Sequence, residues 1–121
     1  MQYITKNTYL DITGVSITDN LDQCLAYCSS RKVLAIDTET SGLSFISDQL
    51  LLFQIGDSDA QFVIDCTTIS LHPLIPLLLD ASIQKVFHNV KFDYKFIRRA
   101  LDIQIENVYD TMLAEAVIHC G

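Results

Sequence analysis

The sequence predicts a single α/β domain, a mixed five-stranded sheet with flanking helices. Three observations carry that expectation. At 121 residues the chain suits one domain, 1–121, with a sizeable core and no room for a second. Short apolar runs separated by turn residues fill the first half, and from Pro73 onward helical and strand-like segments alternate. The sharpest local signal is Val33-Leu34-Ala35-Ile36-Asp37-Thr38-Glu39-Thr40, an apolar run that drives into two acids. Apolar at every position before the acids, it predicts a central strand buried on both faces.

The elements follow in order. Residues 1–18 are β-rich but irregular, with Ile12, Val15 and Ile17 as apolar points and Gly14 as a turn. Asp19 or Asn20 can cap a helix over 20–29, whose Leu21, Cys24, Leu25 and Cys28 form one stripe and which Arg31-Lys32 closes. The first core strand, 33–38, comes next, and residues 40–48, with Gly42 and several serines, read as a loop. Leu50 to Gly56 and Gln61 to Asp65 are two strands joined by the tight turn Asp57-Ser58-Asp59, which makes a hairpin. Pro73 and Pro76 both fit the first turn of a short helix that runs to Asp80. Lys85 to His88 is a fourth strand, 90–101 a helix, Ile105 to Tyr109 a fifth strand, and 111–119 a last helix.

Half the residues are apolar and 19% are charged, the balance of a globular chain. A net charge of −7 argues against a general nucleic-acid coat, which would be basic. It leaves room for an enzyme acting on nucleic acid, because a bound metal inverts the local sign of a carboxylate site. Five of the eight basic residues, Lys85, Lys91, Lys95, Arg98 and Arg99, fall close together in sequence. The N-terminus lacks a signal-peptide pattern and no apolar run approaches membrane-spanning length, so no membrane partner and an intracellular, cytoplasmic or nucleoid-associated setting are expected. Cys24, Cys28, Cys66 and Cys120 have no zinc-ribbon spacing. Cys24 and Cys28, at i and i+4, read as small core residues, with a metal or disulfide pair as the alternative.

Strand side chains alternate with period two, so Asp37 and Glu39 point to one side. Two such carboxylates at the end of a buried strand need cationic side chains or a hard metal ion that prefers oxygen. The helix over 90–101 supplies a third acid. Lys91, Lys95, Arg98 and Arg99 share one arc, Val90, Phe96, Ile97, Ala100 and Leu101 take the other, and Asp93 lies in the middle of the apolar side. A carboxylate facing the core costs on the order of several kcal/mol unless it is paired or bound to a cation. Asp93 is therefore either satisfied by a backbone amide or Arg99, or aimed at Asp37 and Glu39, where a divalent metal would relieve the repulsion. Asn89 reads as the helix N-cap or as a group reaching substrate, and His88 as a partly buried structural histidine. The basic arc reads as a solvated helix face, with phosphate attraction as the alternative.

These residues resemble the DEDD superfamily of 3′–5′ exonucleases on a ribonuclease H-like fold. The first motif matches Leu34-Ala35-Ile36-Asp37-Thr38-Glu39-Thr40-Ser41-Gly42-Leu43, the second His88-Asn89-Val90-Lys91-Phe92-Asp93, and a following segment Tyr109-Asp110-Thr111-Met112-Leu113-Ala114. The look is nearest to the proofreading domain of family A DNA polymerases, with ribonuclease D-like exonucleases similar over the same span, 15 to 119. The resemblance implies two divalent metals, Mg²⁺ or Mn²⁺, with Asp37 bridging both, Glu39 on one and Asp93 on the second. It assigns these three to catalysis, Thr40 and Leu43 to the terminal nucleotide, and Asn89 to the scissile end. Asp110 corresponds to a residue that is usually structural.

The family's third motif, a Tyr or His followed three residues later by a fourth acid, has no match before Gly121. The domain is thus expected to be truncated at the C-terminus, with one weak metal site and little or no activity alone. Its implied partners are a single-stranded DNA 3′ end and a missing C-terminal part or polymerase module. The uncovered sheet face would be apolar and open to self-association. A polymerase fragment, a split-gene product and a degenerate binding domain all fit. The leading expectation is a proofreading-type exonuclease domain, and the alternatives are an RNA 3′–5′ exonuclease and a silent interaction module of the same fold.

Overall fold

The computed structural model describes residues 1–114. Its strands are β1 (Gln2–Ile4), β2 (Ser16–Thr18), β3 (Val33–Thr40), β4 (Leu50–Gly56), β5 (Gln61–Asp65), β6 (Gln84–Phe87) and β7 (Val108–Asp110). Its helices are α1 (Asp22–Ser29), α2 (Ile75–Leu78), preceded by a 3-10 turn at His72–Leu74, and α3 (Val90–Leu101). Residues 111–114 are helical, while the remainder of the expected last helix, together with His119 and Cys120, lies outside the described residues.

The strands form one mixed sheet in the order β2-β1-β5-β4-β3-β6-β7. β4 is antiparallel to both β3 and β5, which confirms the hairpin, and the other pairings are parallel. A side chain at Gly56 would collide with the Ala60 carbonyl, so the hairpin turn needs its glycine. Asp57 fastens that turn to α1, accepting from the Tyr27 hydroxyl at 2.7 Å and the Arg31 guanidinium at 3.0 Å. The count of seven strands exceeds the expected five. The two additions, β1 and β2, come from the irregular N-terminal stretch and are three residues each. Segments so short show no periodicity of their own, and β1 exists as a strand because β5 offers it a partner edge.

The second correction concerns β3. Its side chains alternate, with Leu34, Ile36 and Thr38 buried and Val33, Ala35, Asp37 and Glu39 exposed. Leu34, Ile36, Phe53, Ile55, Phe62 and Ile64 share one core with Cys24 and Cys28 of α1, Leu77 and Leu78 of α2, and Ile97 and Leu101 of α3. Among the described residues the helices thus pack on one side of the sheet. The apolar run does not imply two buried faces here, because small Ala35 and the edge of Val33 tolerate exposure. The opposite side presents Ala35, Asp37, Glu39 and Tyr109 to solvent, with Leu52 and Val86 half-buried.

Cys24 and Cys28 are free thiols in the core, which supports the plain packing reading. Lys85 is the surprise of the interior. It is fully buried, and its ammonium donates to the carbonyls of Asp80 at 2.5 Å and Glu106 at 2.9 Å. It therefore leaves the basic surface cluster and staples the α2–β6 turn to the chain entering β7. Phe53, also without exposure, sits at the centre of the sheet's packed face. Phe53→Ala should cost about 3–5 kcal/mol in urea unfolding, the range for truncating a fully buried aromatic.

Candidate active site

The acids gather at the end of β3. The register of β3 on β4 slips between Glu39 and Thr40, so the strand is irregular where its acids end. Asp37 and Glu39 leave β3 on the open side of the sheet, as their i, i+2 spacing requires. A shallow cavity of about 300 Å³ lies on this side, lined in part by Asp37, Ala35, Gln54 and Val63.

Asp93 belongs to the buried stripe of α3, with Phe96, Ile97 and Leu101. Lys91, Lys95, Arg98 and Arg99 on the opposite arc are exposed, as the helical spacing predicts. The structure brings Asp93 to β3, but onto Thr38, whose hydroxyl donates to the Asp93 carboxylate. The reason is again the alternation: α3 covers the side of the sheet that Thr38 faces. Arg99, the other candidate partner, is engaged with backbone carbonyls elsewhere. Burial pushes the Asp93 carboxyl up to about 6, the Thr38 hydroxyl pulls it back, and the charges of Asp37, Glu39 and Asp110 add to the rise.

Three carboxylates are the donor type that a hard divalent cation takes, and Asp93 feels the other two electrostatically. The donor chemistry fits Mg²⁺ or Mn²⁺. Among the described residues no three His, Cys, Asp or Glu side chains are gathered around one point closely enough to hold an ion. Asp37 and Glu39 are presented together on the open side, and Asp93 meets Thr38 on the packed side.

The two positions expected to meet the terminal nucleotide lie at the last residue of β3 and in the loop after it. Thr40 donates its hydroxyl to the Gly42 carbonyl at 2.7 Å, and Leu43 is 88% exposed. Asn89 does occupy the N-cap position of α3, but with a left-handed backbone (φ 62°) and no side-chain cap bond. Asp110 caps the helix instead. Its two oxygens accept from the backbone amides of Asn89 at 3.0 Å and Val90 at 3.1 Å. Desolvation would raise the Asp110 carboxyl, yet these amides and those of Met112 and Leu113 hold it below the usual range. Beside it, exposed His88 pairs through Nδ1 with the Thr111 hydroxyl at 2.9 Å, and that hydroxyl donates to the Phe87 carbonyl at 3.1 Å. The structural role read for Asp110 matches its cap bonds, whereas His88, expected to be partly buried, is exposed. Thr38 and the capping role of Asp110 were missed. Period two alone puts Thr38 opposite the acids, whereas nothing local marks Asp110 as the cap of a helix about twenty residues earlier.

The 3′–5′ exonuclease family model matches residues 12–121. The chain belongs to the 3′–5′ exonuclease family, and its architecture is the ribonuclease H-like fold of such enzymes. It is 33% identical to DNA polymerase I of Aquifex aeolicus over 110 residues, covering 90% of this chain and 18% of the polymerase. Ribonuclease D of Bartonella henselae is 28% identical over 125 residues, 96% of this chain and 30% of that protein. Among solved structures, Brucella melitensis NrnC is 32% identical with a TM-score of 0.69, over 84% of this chain and 49% of NrnC. NrnC has also been solved with bound Mg²⁺ and bound to pGG. The chain thus spans a third or less of these two curated relatives and about half of NrnC.

Two outcomes are expected. Asp110→Ala should speed backbone amide exchange at Asn89 and Val90 while leaving the β4–β5 hairpin unchanged. For Asp93, a folded-state value raised above the unfolded one means that the native chain holds the proton more tightly. Its contribution to stability is therefore full below about pH 4 and is lost as pH rises through about 6. In chelated, metal-free buffer the stability of Asp93→Asn relative to wild type should accordingly increase between about pH 4 and 7. A difference independent of pH would contradict the raised value.

Proposed function

We propose that this chain forms the core of a metal-dependent exonuclease that hydrolyses phosphodiesters at DNA 3′ ends, in the manner of a proofreading domain. The observation that carries this reading is the presentation of Asp37 and Glu39 side by side on the open sheet face, with Asp93 bonded to Thr38, the residue between them. The relationship to DNA polymerase I supports a DNA substrate.

Asp37 and Glu39 would hold divalent cation, with Asp93 as the third acid. Such ions supply a water activated for attack and neutralise charge at the leaving 3′-oxygen of an in-line displacement. The chain's own groups do the rest. Thr40 and Leu43 take the terminal nucleotide, the first with a hydroxyl already ordered on Gly42 and the second with an exposed apolar side chain. The Asn89 side chain makes no cap bond, Asp110 doing that work, which leaves its side-chain amide to the scissile end. A fourth acid and the Tyr or His of the family's third motif would complete the site over the open face.

A second reading, hydrolysis of RNA 3′ ends, is favoured by the likeness to ribonuclease D and to NrnC bound to pGG. Matched single-stranded DNA and RNA oligonucleotides separate the two through whichever is shortened from its 3′ end. Titration with Mn²⁺ should raise the melting temperature of the wild type and leave Asp37→Ala unmoved, and a flat response in both would remove the metal site.

A further inference from the structure

The basic arc of α3 is not a uniform solvated face. One nitrogen of Arg99, Nη1, donates to two backbone carbonyls, Phe45 at 2.7 Å and Asp48 at 2.6 Å. One turn earlier, the Lys95 ammonium lies 5.4 Å from the centre of the Phe45 ring. Both contacts land on the loop 41–49, the segment that leaves β3 directly after Glu39 and Thr40.

That loop is closed on itself. The Ser41 amide donates to the Gln49 carbonyl at 2.9 Å, and the Gln49 amide donates to the Ser41 hydroxyl at 2.8 Å. The Asp48 carboxylate accepts from the Ser44 amide at 2.9 Å and fills the space that a side chain at Gly42 would need. These few bonds close the loop, and the Arg99 contacts hold the closed form against α3. The carbonyls of Phe45 and Asp48 are its outward anchor points, and a single Arg99 nitrogen takes both. The apolar tip is left facing solvent, with Leu43 88% and Ile46 74% exposed.

We infer that Arg99 is a positioning residue, which ties the 41–49 loop to the helix bearing Asp93 so that Leu43 and Ile46 present one apolar edge to the terminal base of a single strand. This rests on the nuclease reading above. Arg99 acts through the loop, to which its Nη1 is committed by both carbonyl bonds. Ile46 becomes a second base contact beside Leu43. The loop and Asp93 then move as one body, and the terminal base keeps a fixed distance from the acids.

The test compares the full chain with Arg99→Ala, Arg99→Lys and a control, Arg98→Ala, on the same helix. Two readouts are used: amide exchange of residues 41–49, and anisotropy of a short 5′-labelled oligothymidylate, with and without its 3′-terminal base. Arg99→Ala should lose exchange protection at Ser44, Asp48 and Gln49, while Arg98→Ala keeps it. Arg99→Ala should bind the intact strand about tenfold more weakly, the order of one base contact. It should lose nothing more when the terminal base is removed, whereas the wild type should. Arg99→Lys, whose ammonium can also donate to two carbonyls, should recover much of the protection that Arg99→Ala loses. The salt dependence of binding should be unchanged, because a lost phosphate contact would lower its slope by about one. Intact loop protection in Arg99→Ala, or a reduced salt slope, would overturn the inference. A wild type that binds no oligonucleotide would overturn the nuclease reading and base presentation together, and the exchange data would then judge the tether alone.

Discussion

Leu34, Ile36 and Thr38 leave β3 toward the helices, and Ala35, Asp37 and Glu39 leave it toward the open side. This alternation governs both halves of the molecule. On the packed side it delivers two large aliphatic groups to the core and a hydroxyl to Asp93. On the open side it delivers two carboxylates that no apolar neighbour could accept if buried. A one-residue slip of β3 against β4 would exchange these sets, placing Asp37 in the core and both Leu34 and Ile36 in water. The antiparallel register with β4, on five consecutive pairs from Ala35 to Glu39, prevents that slip.

Thr38 is the hinge between the two sides. It sits between the acids in sequence and faces away from them in space. Its hydroxyl gives the buried Asp93 a partner that costs no second charge, where a cation in the same place would carry a desolvation penalty of its own. The carboxyl nevertheless rises to about 6, because one neutral donor cannot offset burial and three neighbouring anions. Such a group is poised to change protonation with its surroundings, a common property of functional sites.

The other two sequence motifs meet at the start of the same helix. Asp110 satisfies the first amides of α3 and thereby fixes where that helix begins, and with it the height of Asp93 above the sheet. The carboxylate is well placed for the positive end of the helix as well as for its unpaired amides. At the same time Lys85 holds the approach to β7 from beneath. The helix that carries the third acid is therefore referenced to the sheet at its start, through Asp110, and to the 41–49 loop near its end, through Arg99. Ordinary packing along Phe96, Ile97 and Leu101 lies between.

Much of this was legible in the chain. The hairpin strands Leu50–Gly56 and Gln61–Asp65 and the helix Val90–Leu101 follow from periodicity and turn residues, which act over a few neighbours. So does the common direction of Asp37 and Glu39, and the conflict of Asp93 with its apolar face. The order of motifs was enough to place the chain among 3′–5′ exonucleases. Strands β1 and β2 were not legible, because three residues carry no period and their partners are distant in sequence. Nor were the burial of Lys85, the Thr38 bond to Asp93, the Asp110 cap or the Arg99 tether, each joining residues that pair only once the sheet is assembled. The sequence by itself determined which residues are acidic, which way each points along its own element, and the family they serve. Only the tertiary structure decided what each acid meets, because that depends on which side of the sheet the helices cover, and local periodicity is identical for both sides.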